Sequence, residues 1–122
     1  MSIQNVTVYS QLVARLVGQL RQQRGFDQKQ FAEQLGVSQP TWSRAENGQM
    51  GLSLDQLAGA AKVLGMTPAQ LLGYADQAAK QLTRKGVTVL VGREVAQDDQ
   101  TFAYLGAAAL GALLVTVLAK AK

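Results

Sequence analysis

Five glycines cut this chain into pieces too short to fold independently. Gly25, Gly36, Gly48, Gly65 and Gly86 each follow a stretch of helical apolar spacing, where a left-handed C-terminal cap is favoured. Asp27, Ser38, Ser53 and Thr67 stand just beyond the first four, and each can accept a bond from the free amides of a new helical turn. Gln30, Gln56 and Gln70 lie three residues past Asp27, Ser53 and Thr67, the spacing of a capping box. Apolar pairs flank the caps as hydrophobic staples: Phe26 with Phe31, Val37 with Trp42, Leu52 with Leu57, and Met66 with Leu71. Pro68 occupies a first helical position, where its missing N–H costs nothing.

This punctuation predicts helices over residues 9–24, 28–35, 39–47, 54–64 and 68–85. Leu12, Val13, Leu16, Val17 and Leu20 form one apolar face, and Leu54, Leu57, Ala58, Ala61 and Leu64 another. Helices this short must bury those faces against each other. The expected fold is all-α.

Composition narrows the function. With no Cys and no His among 122 residues, thiolate and imidazole chemistry, disulfides and the usual zinc sites are excluded. Neither a Walker-type nor a dinucleotide-type phosphate loop is present, and no pair of carboxylates suggests acid–base work. We therefore expect no enzyme, no metal and no cofactor. The net charge of +4 favours a polyanionic partner, either nucleic acid or anionic lipid. That charge is spread evenly, with six basic and four acidic residues in 1–73 and the same numbers in 74–122. No secretory signal opens the chain, and the lack of Cys agrees with a reducing compartment.

Only Gly36, Val37 and Ser38 separate the second and third predicted helices. Such a link throws the later helix sharply across the earlier one, as in a helix–turn–helix, whose second helix can enter a major groove. The stretch from Leu20 to Gly48, LRQQRGFDQKQFAEQLGVSQPTWSRAENG, followed by LSLDQLAGAAKVLGMTPAQLL, resembles the XRE (Cro/phage-repressor) helix–turn–helix family over about residues 9–73.

The resemblance implies a five-helix, lambda-repressor-like domain and a bacterial or phage regulator. It makes Gln28 a phosphate anchor and Gln39 a reader of adenine. Pro40, Ser43 and Arg44 would face base edges, while Ser38, Thr41 and Asn47 would hold phosphates. Glu46 would pair with Arg21 in a structural role. Pro40 departs from the family's usual polar reader, and Trp42 with Ala45 replaces a pair of medium aliphatics in the core. Arg15, Arg24 and Lys29 are read as solvated charges able to touch phosphate. The partners implied are double-stranded DNA and a second copy of the chain, with repression the expected mode. The competing reading is a membrane-held module of this fold that binds protein instead of DNA.

Residues 1–8 read as an N-terminal arm and residues 74–101 as an extension. Leu71, Ala75, Ala78 and Leu82 form a seam for helix one or for a second subunit. Residues 87–91, VTVLV, suggest a short strand, paired with a symmetry mate or with residues 3–8. Residues 102–119 carry no charge and are followed by Lys120 and Lys122. Within an apolar helix over 102–122 this run would measure about 27 Å at 1.5 Å per residue. Ala103, Ala107 and Gly111 would form its small-residue row. Two readings stand: a membrane anchor that leaves the rest in the cytoplasm at the inner membrane, or an oligomerisation helix of a soluble regulator.

Overall fold

The computed structural model describes residues 4–92 and 102–104. Strand β1 (Gln4–Val8) leads directly into helix α1 (Tyr9–Gln23), followed by α2 (Gln28–Leu35), α3 (Gln39–Glu46), α4 (Leu54–Val63) and α5 (Pro68–Arg84). Strands β2 (Val87–Leu90) and β3 (Phe102–Tyr104) complete the order. All five helices fall within two residues of the limits expected from the caps.

The caps are made as the residues require. Asp27, Ser38, Ser53 and Thr67 accept bonds from the amides of Gln30, Thr41, Gln56 and Gln70. Full capping boxes close at Ser53–Gln56 and Thr67–Gln70, whereas Asp27 shows the forward half. Gly36, at φ 73°, returns its amide to Ala32 and Glu33 and so ends α2.

Helix α1 is the hub, with Leu12, Val13, Leu16, Val17 and Leu20 all buried. Val13, Leu16, Val17 and Leu20 meet Phe31 and Ala32 of α2, Trp42 and Ala45 of α3, Leu57, Ala60 and Ala61 of α4 and, just after it, Leu64. The seam of α5 is buried within this chain, with Leu71 and Ala75 in the main core. Ala78 and Leu82 join Leu12 and Val87 in a second cluster beneath the sheet. Helix α4 corrects one expectation. Its inward arc is Leu57, Ala60, Ala61 and Leu64, while Ala58 faces solvent and Leu54, at the helix tip, is 81% exposed. Leu54 stands at the rim of an apolar cavity of about 240 Å³ lined by Tyr9, Val13, Leu52 and Leu72, among others.

The sheet has the order β2-β1-β3 and is parallel throughout. Asn5 through Val8 pair with Val87 through Leu90, so the expected strand adds to the N-terminal segment of its own chain. Gln4, Asn5 and Val6 pair on the other side with Phe102, Ala103 and Tyr104. This corrects the expectation of a helix beginning at residue 102. An apolar run without proline fits strand or helix, and here the free edge of β1 provides hydrogen-bond partners for strand. Residues 105–122 lie outside the described residues, and the anchor and oligomerisation readings of 102–119 lie there with them. Among the described residues no helix is long and apolar enough to cross a membrane.

Candidate nucleic-acid interface

The turn 36–38 swings α3 across α2 and leaves its first two residues, Gln39 and Pro40, exposed. Ser38 serves its own helix. Its Oγ accepts from the Thr41 amide at 3.2 Å, and its hydroxyl donates to Thr41 Oγ1 at 2.8 Å. Arg44 and Asn47 are exposed, and Thr41 and Ser43 are half-buried. Trp42 and Ala45 point the other way, into the core, where the indole packs on Phe31 with ring centroids 5.3 Å apart. The large residue beside the small one fills the space between α3 and its neighbours.

One carboxylate organises the region. Glu46 accepts from Arg21 Nε at 2.5 Å and from Arg21 Nη2 at 3.1 Å. Trp42 Nε1 donates to the same carboxylate at 2.6 Å, and Gln28 Nε2 at 2.8 Å. Arg21 also donates through Nη1 to the Phe26 carbonyl at 2.6 Å. Its guanidinium is thus used on both sides of the loop that joins α1 to α2.

The bonds have a direction. A carboxylate only accepts, so Gln28 must turn its NH₂ toward Glu46 and its carbonyl oxygen outward. That oxygen accepts from Gln39 Nε2 at 3.3 Å. Gln39 therefore keeps one free N–H and its whole carbonyl oxygen at the exposed start of α3.

Arg15 and Arg24 differ from the solvated charges expected. Arg15 Nη2 donates to the Asn47 carbonyl at 2.6 Å, and burial lowers its pKa from the ordinary arginine value. Arg24 donates through Nη1 to the Leu64 carbonyl, at the end of α4. Lys29 is exposed on α2. Sequence reasoning also passed over Gly18. A Cβ there would sit 2.9 Å from Glu46 Cγ, so α1 approaches α3 closely at that point. The available signal was the spacing of Arg15, Gly18 and Arg21, three apart along one side of α1. Elsewhere Tyr9 donates to Asp76 Oδ1 at 2.8 Å. Its burial, helped by that bond and by the carboxylate's charge, pushes the phenol up to about 12.

A family model described as a helix-turn-helix domain matches residues 12–72, half of the chain. The crystal structure of the clp gene regulator ClgR from Corynebacterium glutamicum is similar with a TM-score of 0.57. The two are 24% identical, and the match covers 63% of this chain and 83% of that one, a likeness of fold. No curated protein sequence matches the chain.

Proposed function

The chain belongs to the helix-turn-helix domain family, and from that premise we propose that it is a sequence-specific, DNA-binding transcriptional regulator. In this reading it is a homodimer that represses by occupying a near-palindromic operator in the cytoplasm. Two copies of α3 would enter successive major grooves about 34–36 Å apart.

The observation that carries the reading is the polarity of the chain Glu46–Gln28–Gln39. Adenine offers a donor at N6 beside an acceptor at N7 in the major groove. Gln39 has an acceptor and one donor left once its other N–H is held by Gln28. Because Glu46 fixes Gln28, and Gln28 fixes Gln39, the reading amide is oriented before DNA arrives. Gln28 Nε2 keeps a second N–H for a phosphate, beside the first turn of α2 and its free amides. Arg44 is exposed for guanine or phosphate, and Asn47 for phosphate. Pro40 offers an apolar contact suited to a thymine methyl. Ser43 lies farther along the same helix, and the Thr41 hydroxyl, which accepts from Ser38, keeps its own proton to donate to phosphate. ClgR is named as a gene regulator, which agrees with this reading.

The test is a salt-controlled anisotropy titration on duplexes selected from a random pool, with a scrambled duplex as reference. Gln39→Ala is expected to cost about 1–3 kcal/mol on the selected duplex and to relax one base position. Gln28→Ala is expected to weaken both duplexes through the lost phosphate contact, and the selected one further because Gln39 loses the partner that orients it. Parent-like binding by both variants would remove the assignment of α3 to the groove. Failure of the parent to prefer any duplex would leave the protein-binding alternative in its place.

A further inference from the structure

Arg15, Gly18 and Arg21 form a slanting row on α1, and all three meet the last turn of α3. Arg21 holds the Glu46 carboxylate, Gly18 lets Glu46 come close, and Arg15 bonds the Asn47 carbonyl. The Arg15 guanidinium also covers Gly48. A Cβ on Gly48 would lie 2.5 Å from both Nε and Nη2 and 2.7 Å from Cζ. With φ at 76°, Gly48 is in the left-handed region as well, so this turn admits the arginine only because the residue is glycine.

We infer that Arg15 is a positioning residue for α3, clamping the helix's C-terminal turn so that its exposed N-terminus keeps a fixed angle, rather than a contact to DNA phosphate. The inference rests on the DNA-binding reading above for its consequence, but its structural half stands apart from DNA. A cation at a helix C-terminus is opposite in sign to the partial charge of the free carbonyls there. Arg15 is half-buried, and its removal from water is offset by the carbonyl it binds. Asn47, Gly48 and Gln49 return their amides to Ser43, Ala45 and Arg44, so the turn that Arg15 covers is also the turn that ends α3. The lever is short but sufficient. Helix α3 has 8 residues, about 12 Å at 1.5 Å per residue, so a tilt of about 5° about its C-terminal end moves Gln39 by about 1 Å. Bidentate base recognition does not tolerate a shift of that size well.

The experiment compares parent, Arg15→Met, which keeps an apolar stem without the charge, and Arg15→Lys, which restores a donor. Its first arm is amide hydrogen exchange on the free protein. Arg15→Met is expected to speed exchange at Asn47, Gly48 and Gln49 while leaving α5 unchanged, and Arg15→Lys to recover most of the protection. Unchanged exchange at those three amides would overturn the inference whatever DNA does.

The second arm titrates the selected and scrambled duplexes at several salt concentrations. Arg15→Met is expected to lose about tenfold on the selected duplex, the scale of one charge-assisted hydrogen bond. Scrambled-duplex affinity and the slope of log K against log salt should stay those of the parent. A phosphate contact behaves differently: the slope falls by about 1 and both duplexes weaken together. That result would overturn the positioning role. A parent without duplex preference, combined with faster exchange in Arg15→Met, would overturn the DNA reading and leave the clamp itself demonstrated.

Discussion

Replacing both partners of the Arg21–Glu46 pair should cost far less than the two single replacements suggest. Arg21 is 8% exposed, and the two side chains are 10% and 9% exposed. Glu46→Leu strands the arginine's charge and also removes the acceptor of Trp42 Nε1 and Gln28 Nε2. Loss of one partner from a buried pair costs about 3–5 kcal/mol, and the extra orphaned donors put this variant near about 5. Arg21→Met leaves Glu46 with two donors still in place but frees the Phe26 carbonyl, for about 3 kcal/mol. The double variant carries no buried charge, and what it lacks are partners for the indole N–H, that carbonyl and the half-buried Gln28 amide, which water can reach, about 2–3 kcal/mol together. A coupling energy of at least about 3 kcal/mol follows, against less than about 0.5 for independent sites. Urea unfolding, followed by Trp42 fluorescence and far-ultraviolet circular dichroism, measures all four corners. With a slope of about 2 kcal/mol per molar, the larger single change moves the midpoint by about 2.5 M. If that variant is unfolded in buffer, Glu46→Gln supplies a milder corner with the same expected sign. Additive losses would refute the claim that the two residues act as one buried unit.

Three smaller perturbations probe other parts of the fold. Gly18→Ala should gain up to about 1 kcal/mol of helix propensity and lose about 1–3 to its collision with the pinned Glu46 chain. A lower urea midpoint is expected, and a higher one would show that α1 and α3 are farther apart than described. Tyr9 favours its neutral form in the folded state, so its contribution to stability is complete below pH 10 and is lost as pH rises through about 12. The phenolate absorbance of the parent minus that of Tyr9→Phe should therefore titrate near pH 12, and a midpoint at 10 would contradict the burial and the Asp76 bond. Thr67→Ala removes a cap whose reciprocal bond from the Thr67 amide to Gln70 is also present. It should cost about 1 kcal/mol and lower the melting temperature by several degrees, and no change would mean that the box adds nothing.

The helices were legible because their signals are local. A glycine at the end, an oxygen at the next start and an apolar pair around it are all set within a few residues, and each of Gly25, Gly36, Gly48, Gly65 and Gly86 adopts positive φ. Trp42 was legible as core for the same reason. The third strand was not, because nothing in residues 102–104 says strand until β1 is placed beside them. The exposure of Leu54 escaped for a related reason: helical spacing gives a direction but not the length over which neighbours reach. At the site, residue types suggested which side chains face outward. The Arg15–Asn47 and Gln28–Glu46 bonds and the close approach at Gly18 depend on how α1, α2 and α3 cross, which spacing within one helix does not encode.

The position of β1 has a consequence for the order in which the chain acquires its structure. Helices α1–α5 complete their packing within residues 9–84, with α1 reaching α3 and α5 and α2 reaching α4. The central strand of the sheet, by contrast, is made before all five helices, while its partners at Val87–Leu90 and Phe102–Tyr104 follow after the last of them. During synthesis at about 5–20 residues per second, Val6 and Val8 wait for several seconds with both edges of their backbone open. Throughout that interval the nascent protein carries an unpaired strand ahead of a helical domain that can already pack. The sheet is then a late latch, and the newborn chain is most exposed to adding itself to a neighbour's strand before that latch closes.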